Sequence, residues 1–258
     1  MQENLSELLD AARNVAKKGG QQTLEYFRKS IKVEHKEDES PVTIADRMAE
    51  EVMRTEIADH FPEHGILGEE LGHTNPDHQV KWILDPIDGT ISYIHGVPLY
   101  TTLVGITIDN KPAAGVIYAP ALDEMCDGAV GHGSYFNGEA CSARNTRNFE
   151  EATLLTTDLT HIQQYGYEPH FYELHNRCRY YRTWGDAYGH MMIATGRADI
   201  MLDPVLNIWD AAALLPVVSE SGAVFTGLNG EHRIDAGNAV SATAALHPQV
   251  ISLINNQK

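Results

Sequence analysis

The sequence predicts a layered α/β (α+β) protein, with helices and sheets packed face to face around a buried core. Three observations carry this reading. Segments with helical spacing of apolar residues alternate with short β-like runs along the chain. The 258 residues are 43% hydrophobic and 21% charged, the balance of a globular protein long enough to bury a large core. No internal repeat or low-complexity tract interrupts them.

Leu5, Leu8, Leu9, Ala12, Val15, Ala16, Leu24 and Phe27 recur at helical spacing and predict a long first helix with one buried face. The charged stretch KVEHKEDES reads as a loop. Pro41 precedes a second helix in which Thr43 and Asp46 have capping-box spacing and Ala45, Ala49, Val52, Met53 and Ile57 form the apolar face. Short β-like runs follow at 66–67, 82–84, 103–108 and 114–118, the last two joined by a turn at Asn110 and Lys111. GHGSYFNGEA reads as a hairpin turning at Asn137 and Gly138. The polar segment ARNTRNFEEA marks a boundary between an N-terminal half, 1–145, and a C-terminal half, 146–258. The second half alternates: strand 154–157, a helix to about Cys178, strand 179–182, helix 187–195, strand 199–202, a helix from Trp209, strands 223–226 and 239–242, and a terminal helix.

Nineteen Lys and Arg face 36 Asp and Glu, giving a formal charge of −17, and no basic run could track a nucleic-acid backbone. The first twenty residues carry acids and lack a continuous apolar core, so they read as an amphipathic helix rather than a signal peptide. No stretch approaches the ~18 apolar residues of a membrane span. Cys126, Cys141 and Cys178 are odd in number and widely spaced, neither a disulfide framework nor a zinc pattern, which points to a reducing cytoplasm.

Chemistry concentrates in three segments. In WILDPIDGT, an apolar strand ends at Asp85, Pro86 forbids helix there, and Asp88 emerges from the turn, so two carboxylates converge at a strand end. Gly89 permits a tight backbone and Thr90 starts a short helix whose N–H groups would face an anion. Asp-Pro and Asp-Gly are also ordinary turn formers. Gly68-Glu69-Glu70 again sets acids after an apolar pair, and Asn207-Ile208-Trp209-Asp210 sets an acid at a helix start before small residues that must be buried. Asp210 alone also reads as a helix N-terminal acid. Other phosphatase signals are weak: Cys141 to Arg147 has C-x₅-R spacing without a preceding His or cradle glycines, Asp85-x-x-Asp88 is not D-x-D, and no H-x-H pair exists.

GEE, DPIDGT and WDAAA, in this order and at these intervals, resemble the inositol monophosphatase family of magnesium-dependent phosphatases, from Leu5 almost to the C-terminus. The resemblance implies an αβαβα sandwich of the inositol monophosphatase/fructose-1,6-bisphosphatase type, usually dimeric, acting on small phosphate monoesters. It implies that Glu69, Asp85 and the Ile87 carbonyl hold one Mg²⁺, that Asp85, Asp88 and Asp210 hold a second, and that a third, weaker ion lies near Glu69. Glu69 and Thr90 would orient the attacking water, Asp46 would support Thr90, and the Gly89 and Thr90 N–H groups would hold phosphate oxygens. Asp46 also fits a plain capping box. The chemistry suits the residues: Mg²⁺ takes oxygen ligands, and two such ions can activate water on one side of phosphorus and stabilise the leaving alkoxide on the other, without a covalent enzyme intermediate.

Within the family, SPVTIADRMAE, FPEHGILGEELG and RTWGDAYGHMMIATGRADIMLDPVLNIWDAAALLPVVSE are most similar to the histidinol-phosphate phosphatases. This implies that Asp186, Asp203 and Asn207 lie near the leaving group, where carboxylates suit the ammonium and imidazole of L-histidinol phosphate. Asp186 also reads as a cap for the following helix. Inositol 1-phosphate and nucleotide or sugar bisphosphates are the alternative substrates.

Overall fold

The protein, a computed structural model, is described over residues 4–35 and 41–255. Helix α1 (Leu5–Leu24) starts on an Asn4 cap and buries Leu8, Leu9, Ala12, Val15 and Ala16, the stripe its spacing predicts. It stops at Leu24, so Phe27 lies beyond it and packs on Tyr93 and Tyr100. The charged stretch expected as a loop instead contributes β1 (Val33–His35), paired antiparallel with β2 (Pro41–Thr43); its residues 36–40 lie outside the described residues. Helix α2 (Ile44–His60) follows directly, its Thr43–Asp46 capping box formed.

An eight-stranded sheet follows, built from β3 (Gly65–Gly68), β4 (Gly72–Thr74), β5 (Val80–Asp88), β6 (Thr101–Ile108), β7 (Lys111–Ala119), β8 (Glu124–Ala129), β9 (Gly133–Phe136) and β10 (Glu139–Cys141), in the spatial order β10-β9-β8-β7-β6-β5-β3-β4. Strands β4 and β8 are too short or too mixed in polarity to stand out in the sequence. Short helix α3 (Thr90–Ile94) interrupts the sheet between β5 and β6. The β6–β7 turn falls at Asp109 and Asn110, both with positive φ, one residue earlier than expected. The β9–β10 turn is at Asn137 and Gly138 as expected, also with positive φ.

A smaller sheet comprises β11 (Thr153–Thr156), β12 (Tyr180–Arg182), β13 (Ile200–Asp203), β14 (Ala223–Thr226) and β15 (Ala239–Thr243), in the order β12-β11-β13-β15-β14. Where one helix was expected before Cys178 there are two, α4 (Leu159–Gln164) and α5 (Glu168–Arg177), broken at Gly166 with φ 77°. Helices α6 (Asp186–Ala194), α7 (Ile208–Glu220) and α8 (His247–Asn255) complete the chain.

Alternation along the strands explains the layering. Trp82, Leu84, Val104, Ile106, Val116 and Tyr118 face α1 and α2, whereas Ile83, Leu103, Ile117 and Cys126 face α6 and α7. On the smaller sheet, Leu155, Met201 and Phe225 join that same central core, while Leu154, Ile200, Leu202 and Val240 face the outer helices. The result is five layers, αβαβα. No helix of the described residues is long and apolar enough to cross a membrane.

Helix α7 sits unusually close to the large sheet. A Cβ on Gly115 would stand 2.1 Å from the Ala213 carbonyl oxygen, and one on Gly105 2.6 Å from Ala212 Cβ. Two strand residues without side chains thus meet a helix face of alanines, Ala211 to Ala213, all buried. That contact is what delivers Asp210, at the start of α7, to the end of β5.

Candidate active site

Strands β3 and β5 are parallel, so their C-terminal ends open on one edge, and Glu69 and Asp85 emerge side by side there. The Glu69 N–H extends the pairing, donating to the Leu84 carbonyl at 3.1 Å. The expected turn after Asp85 is instead a bulge. β5 continues to Asp88, with Asp85 opposite Leu103 and Asp88 opposite Thr101, so three residues advance against two. The Thr102 hydroxyl stitches the bulge by donating to the Pro86 carbonyl at 2.8 Å. The extra residue swings both carboxylates to the same side, which a regular strand would not do for residues three apart.

One oxygen from each of Asp85, Asp88 and Asp210 lies within 4.8 Å of the others. Each carboxylate is held separately. Asp85 accepts the Ile87 N–H at 2.9 Å, Asp88 accepts the Thr101 hydroxyl at 3.1 Å and the Ala187 N–H at 2.7 Å, and Asp210 accepts the Asn207 N–H at 2.7 Å. No Lys or Arg among the described residues forms an ion pair with any of the three. Burial, reinforced by the charges of Glu69, Asp210 and Asp88, raises the Asp85 carboxyl well above the usual range. Burial likewise pushes Asp88 up to about 7, and raises Asp210 beside Asp88 and Glu69. Three buried carboxylates with mutual repulsion and no protein cation form an all-oxygen donor set that suits a hard divalent ion. Glu69 stands outside this tight group but near enough for its charge to act on all three.

The remaining expected residues fall into different positions. The Ile87 side chain is buried against Tyr93 and Tyr100, and its carbonyl accepts the Thr90 hydroxyl at 3.1 Å. Thr90 opens α3 after Gly89, whose φ of 81° is open to glycine at no cost. Asp46 lies in the first turn of α2. Its Oδ2 accepts both the N–H and the hydroxyl of Thr43, at 2.8 and 2.7 Å, because closing the capping box satisfies the helix end.

Asp186 lies directly over Gly89: a Cβ on the glycine would be 2.9 Å from Asp186 Oδ2. It adopts a left-handed φ of 53°, and its N–H donates to the Thr157 hydroxyl oxygen at 2.8 Å. Burial, then Asp88, Asp203 and Asp210, raise its pKa well above normal. It caps nothing; the cap on Ala187 comes from Asp88. Asp203, expected beside the leaving group, is buried beneath Asp186, with Oδ1 accepting the Thr157 hydroxyl at 2.7 Å and Oδ2 meeting His190 Nε2 at 3.3 Å. With both oxygens engaged it supports Thr157, and through it Asp186. Asn207 is exposed at the mouth of α7.

Sequence reasoning missed the pair that shapes the Glu69 loop. Glu50 on α2 is fully buried, accepts the Glu70 N–H at 2.7 Å and the Leu71 N–H at 3.2 Å, and pairs with Arg54 Nε at 2.7 Å. Arg54 in turn donates to the Gly72 carbonyl and the Thr74 hydroxyl. Gly68 makes room for this clamp, since a Cβ there would lie 1.9 Å from Glu50 Oε1. An acid and an arginine four apart on an otherwise amphipathic helix were the one available signal, and such pairs are common on solvated faces.

A family model describing the inositol monophosphatase family matches residues 4–258. A histidinol-phosphatase of Chlorobaculum parvum is 37% identical over 250 residues, covering 96% of this chain and 96% of that protein. A histidinol-phosphatase of Streptomyces coelicolor is 31% identical over 245 residues, 91% of this chain and 92% of its own length. Among solved structures, the extragenic suppressor protein suhB from Bartonella henselae superposes with a TM-score of 0.91 at 26% identity, over 98% of this chain and 100% of that one.

Proposed function

This chain belongs to the inositol monophosphatase family and is a phosphomonoesterase; we propose that it works with Mg²⁺ and that its ester is L-histidinol phosphate, hydrolysed to L-histidinol and phosphate. Asp85, Asp88, Asp210, Glu69 and the Ile87 carbonyl are the groups that would hold the ions. Bound there, Mg²⁺ supplies Lewis-acid polarisation of the phosphoryl group and makes water a competent nucleophile at neutral pH.

The protein groups do the positioning. Glu69 and Thr90 orient the attacking water toward phosphorus, and the Gly89 and Thr90 N–H groups hold phosphate oxygens. The bulge at 85–88 keeps Asp85, Ile87 and Asp88 on β5 itself rather than on a loop. Asp186 faces the part of the ester beyond the phosphate, and Thr157 and Asp203 hold it there.

The observation that carries the substrate reading is the Asp186 carboxylate held over Gly89. A carboxylate beside a phosphate-binding backbone repels a second phosphate and gives a neutral polyol no charge to meet, but it attracts a cationic leaving group. The two curated relatives named as histidinol-phosphatases support the same reading. We propose further that the enzyme serves histidine biosynthesis and works as a cytoplasmic homodimer. Comparing kcat/KM for L-histidinol phosphate, inositol 1-phosphate and an adenosine bisphosphate tests it: L-histidinol phosphate is expected to lead, and faster turnover of inositol 1-phosphate would move the substrate assignment while leaving the phosphatase intact.

A further inference from the structure

The elements that carry the carboxylates also enclose a second concavity. A cavity of about 600 Å³ lies on the side of β3, β5 and β6 that faces α7, and residues 232–235 close it. Leu67, Ile83 and Ile208 line it, and each stands two positions before an acid of the ester site, namely Glu69, Asp85 and Asp210. On β3 and β5 a two-residue step is one strand period, so Leu67 shares a face with Glu69, and Ile83 with Asp85. Ile234 completes the apolar floor.

The mouth is cationic in a chain of formal charge −17. Lys81 donates to Asn110 Oδ1 at 2.9 Å, and Lys111 is exposed beside it. Neither meets a carboxylate among the described residues, whereas Arg233, also at the rim, is neutralised by Asp235 and Glu231. Lys81 and Asp85 are four strand residues apart, roughly 13 Å, so the positive mouth and the acidic cluster occupy opposite ends of one stretch of β5. Two uncompensated ammonium groups over an aliphatic floor, in a volume within the ~300–1,000 Å³ of small-molecule sites, match a molecule with an apolar ring and one anionic group.

We propose that this cavity is a second ligand site, for a small amphipathic anion, coupled to the carboxylate cluster through Leu67, Ile83 and Ile208. A ligand pressing on Ile83 or Leu67 bears on the backbone that sets Asp85 and Glu69, and by linkage whatever changes there must be felt in return. The binding stands apart from the reading of the ester site; only the coupling rests on it.

The probe is 1-anilinonaphthalene-8-sulfonate, titrated by fluorescence into the intact chain, with N-phenyl-1-naphthylamine as the analogue lacking the sulfonate. The cavity predicts saturable binding of one sulfonate probe per chain. Lys81→Gln combined with Lys111→Gln should weaken the sulfonate at least tenfold and leave the neutral analogue unchanged. Ile234→Trp, which fills the floor, should abolish both while circular dichroism stays native. Saturating sulfonate should shift the Mg²⁺ Kd measured by calorimetric titration, and Mg²⁺ should shift sulfonate affinity by the same factor. Unchanged sulfonate binding in either variant overturns the site, as does binding that vanishes when rising protein concentration drives self-association. Binding that obeys all these variants in a chain without phosphatase activity would sink the ester reading and the coupling but keep the site.

Discussion

Asp88 Oδ2 accepts the backbone N–H of Ala187 at 2.7 Å, joining two segments 99 residues apart. The bond seats the start of α6 against the bulged end of β5, and it is why Asp186, the residue before Ala187, comes to lie over Gly89. An acid that would bind metal is therefore also the cap of the helix that presents Asp186, the carboxylate proposed to face the substrate.

Replacing Asp88 or Asp210 by Asn removes one anion from a buried, mutually repelling group. Without Mg²⁺, the melting temperature of Asp210→Asn should equal or exceed that of the parent chain, because repulsion falls. With Mg²⁺ the order should reverse, since the parent chain gains about 2.7 kcal/mol at a hundredfold excess of ion over Kd and the variant gains little. Thermal melts across a Mg²⁺ series read both effects. A variant that keeps the parent's Mg²⁺ response would remove Asp210 from the metal site.

Glu50 is expected to matter for activity without touching the substrate. Glu50→Ala strands the Glu70 and Leu71 N–H groups and leaves the partly buried Arg54 without its ion pair, a loss that stays below the ~3–5 kcal/mol of breaking a fully buried pair. Glu50→Gln should retain part of that stability yet lower kcat, because the loop carrying Glu69 loses its charged anchor. Urea unfolding together with steady-state kinetics separates the two effects. Full activity in a correctly folded Glu50→Gln chain would confine Glu50 to a structural role.

Asp186→Asn preserves the tolerance for a left-handed backbone that Ala lacks, so it isolates charge from strain. It should reduce kcat/KM for L-histidinol phosphate tenfold to a hundredfold, the worth of about 1.5–3 kcal/mol for a hydrogen bond to a charged group, and affect p-nitrophenyl phosphate far less. Equal losses on both esters would show that Asp186 serves the phosphate end or the fold.

His247 supplies a pH signature remote from the site. Burial, aided by His232, lowers its pKa from 6.5 to about 4, and its Nε2 lies 2.8 Å from the Thr226 hydroxyl. The unfolded chain therefore binds this proton at a higher pH than the folded chain. The stability it contributes is present above about pH 6.5 and is lost as pH falls toward about 4. The raised carboxyls of the site titrate with the opposite sign over the same range, so the His247 contribution is read as a difference: the urea midpoint of the parent chain minus that of His247→Gln should rise between about pH 4 and 6.5.

Much of the site is legible in local spacing, because Asp85, Asp88, Gly89 and Thr90 are near neighbours and Asp210 opens a helix whose alanines announce close packing. What was not legible depends on partners distant in sequence. The bulge at 85–88 is set by pairing with Leu103 and Thr101, the Glu50 clamp acts on a loop twenty residues away, and the Asp203 side chain is claimed by Thr157 and His190 rather than by solvent. Asp46 illustrates the local case: the capping box that its spacing from Thr43 predicts is formed. Among the elements, β8 escaped notice because EMCDGA mixes acids with small residues, yet it is a central strand paired on both sides.

The central claim is that the Asp85, Asp88 and Asp210 cluster hydrolyses L-histidinol phosphate only when it holds Mg²⁺. Phosphate release from L-histidinol phosphate, followed with the chain stripped by EDTA and then titrated with Mg²⁺, tests it most directly. The account predicts no release from the stripped chain, recovery that saturates with Mg²⁺, and no recovery for Asp88→Asn at the same concentrations. Release by the stripped chain, or full recovery by Asp88→Asn, would contradict it.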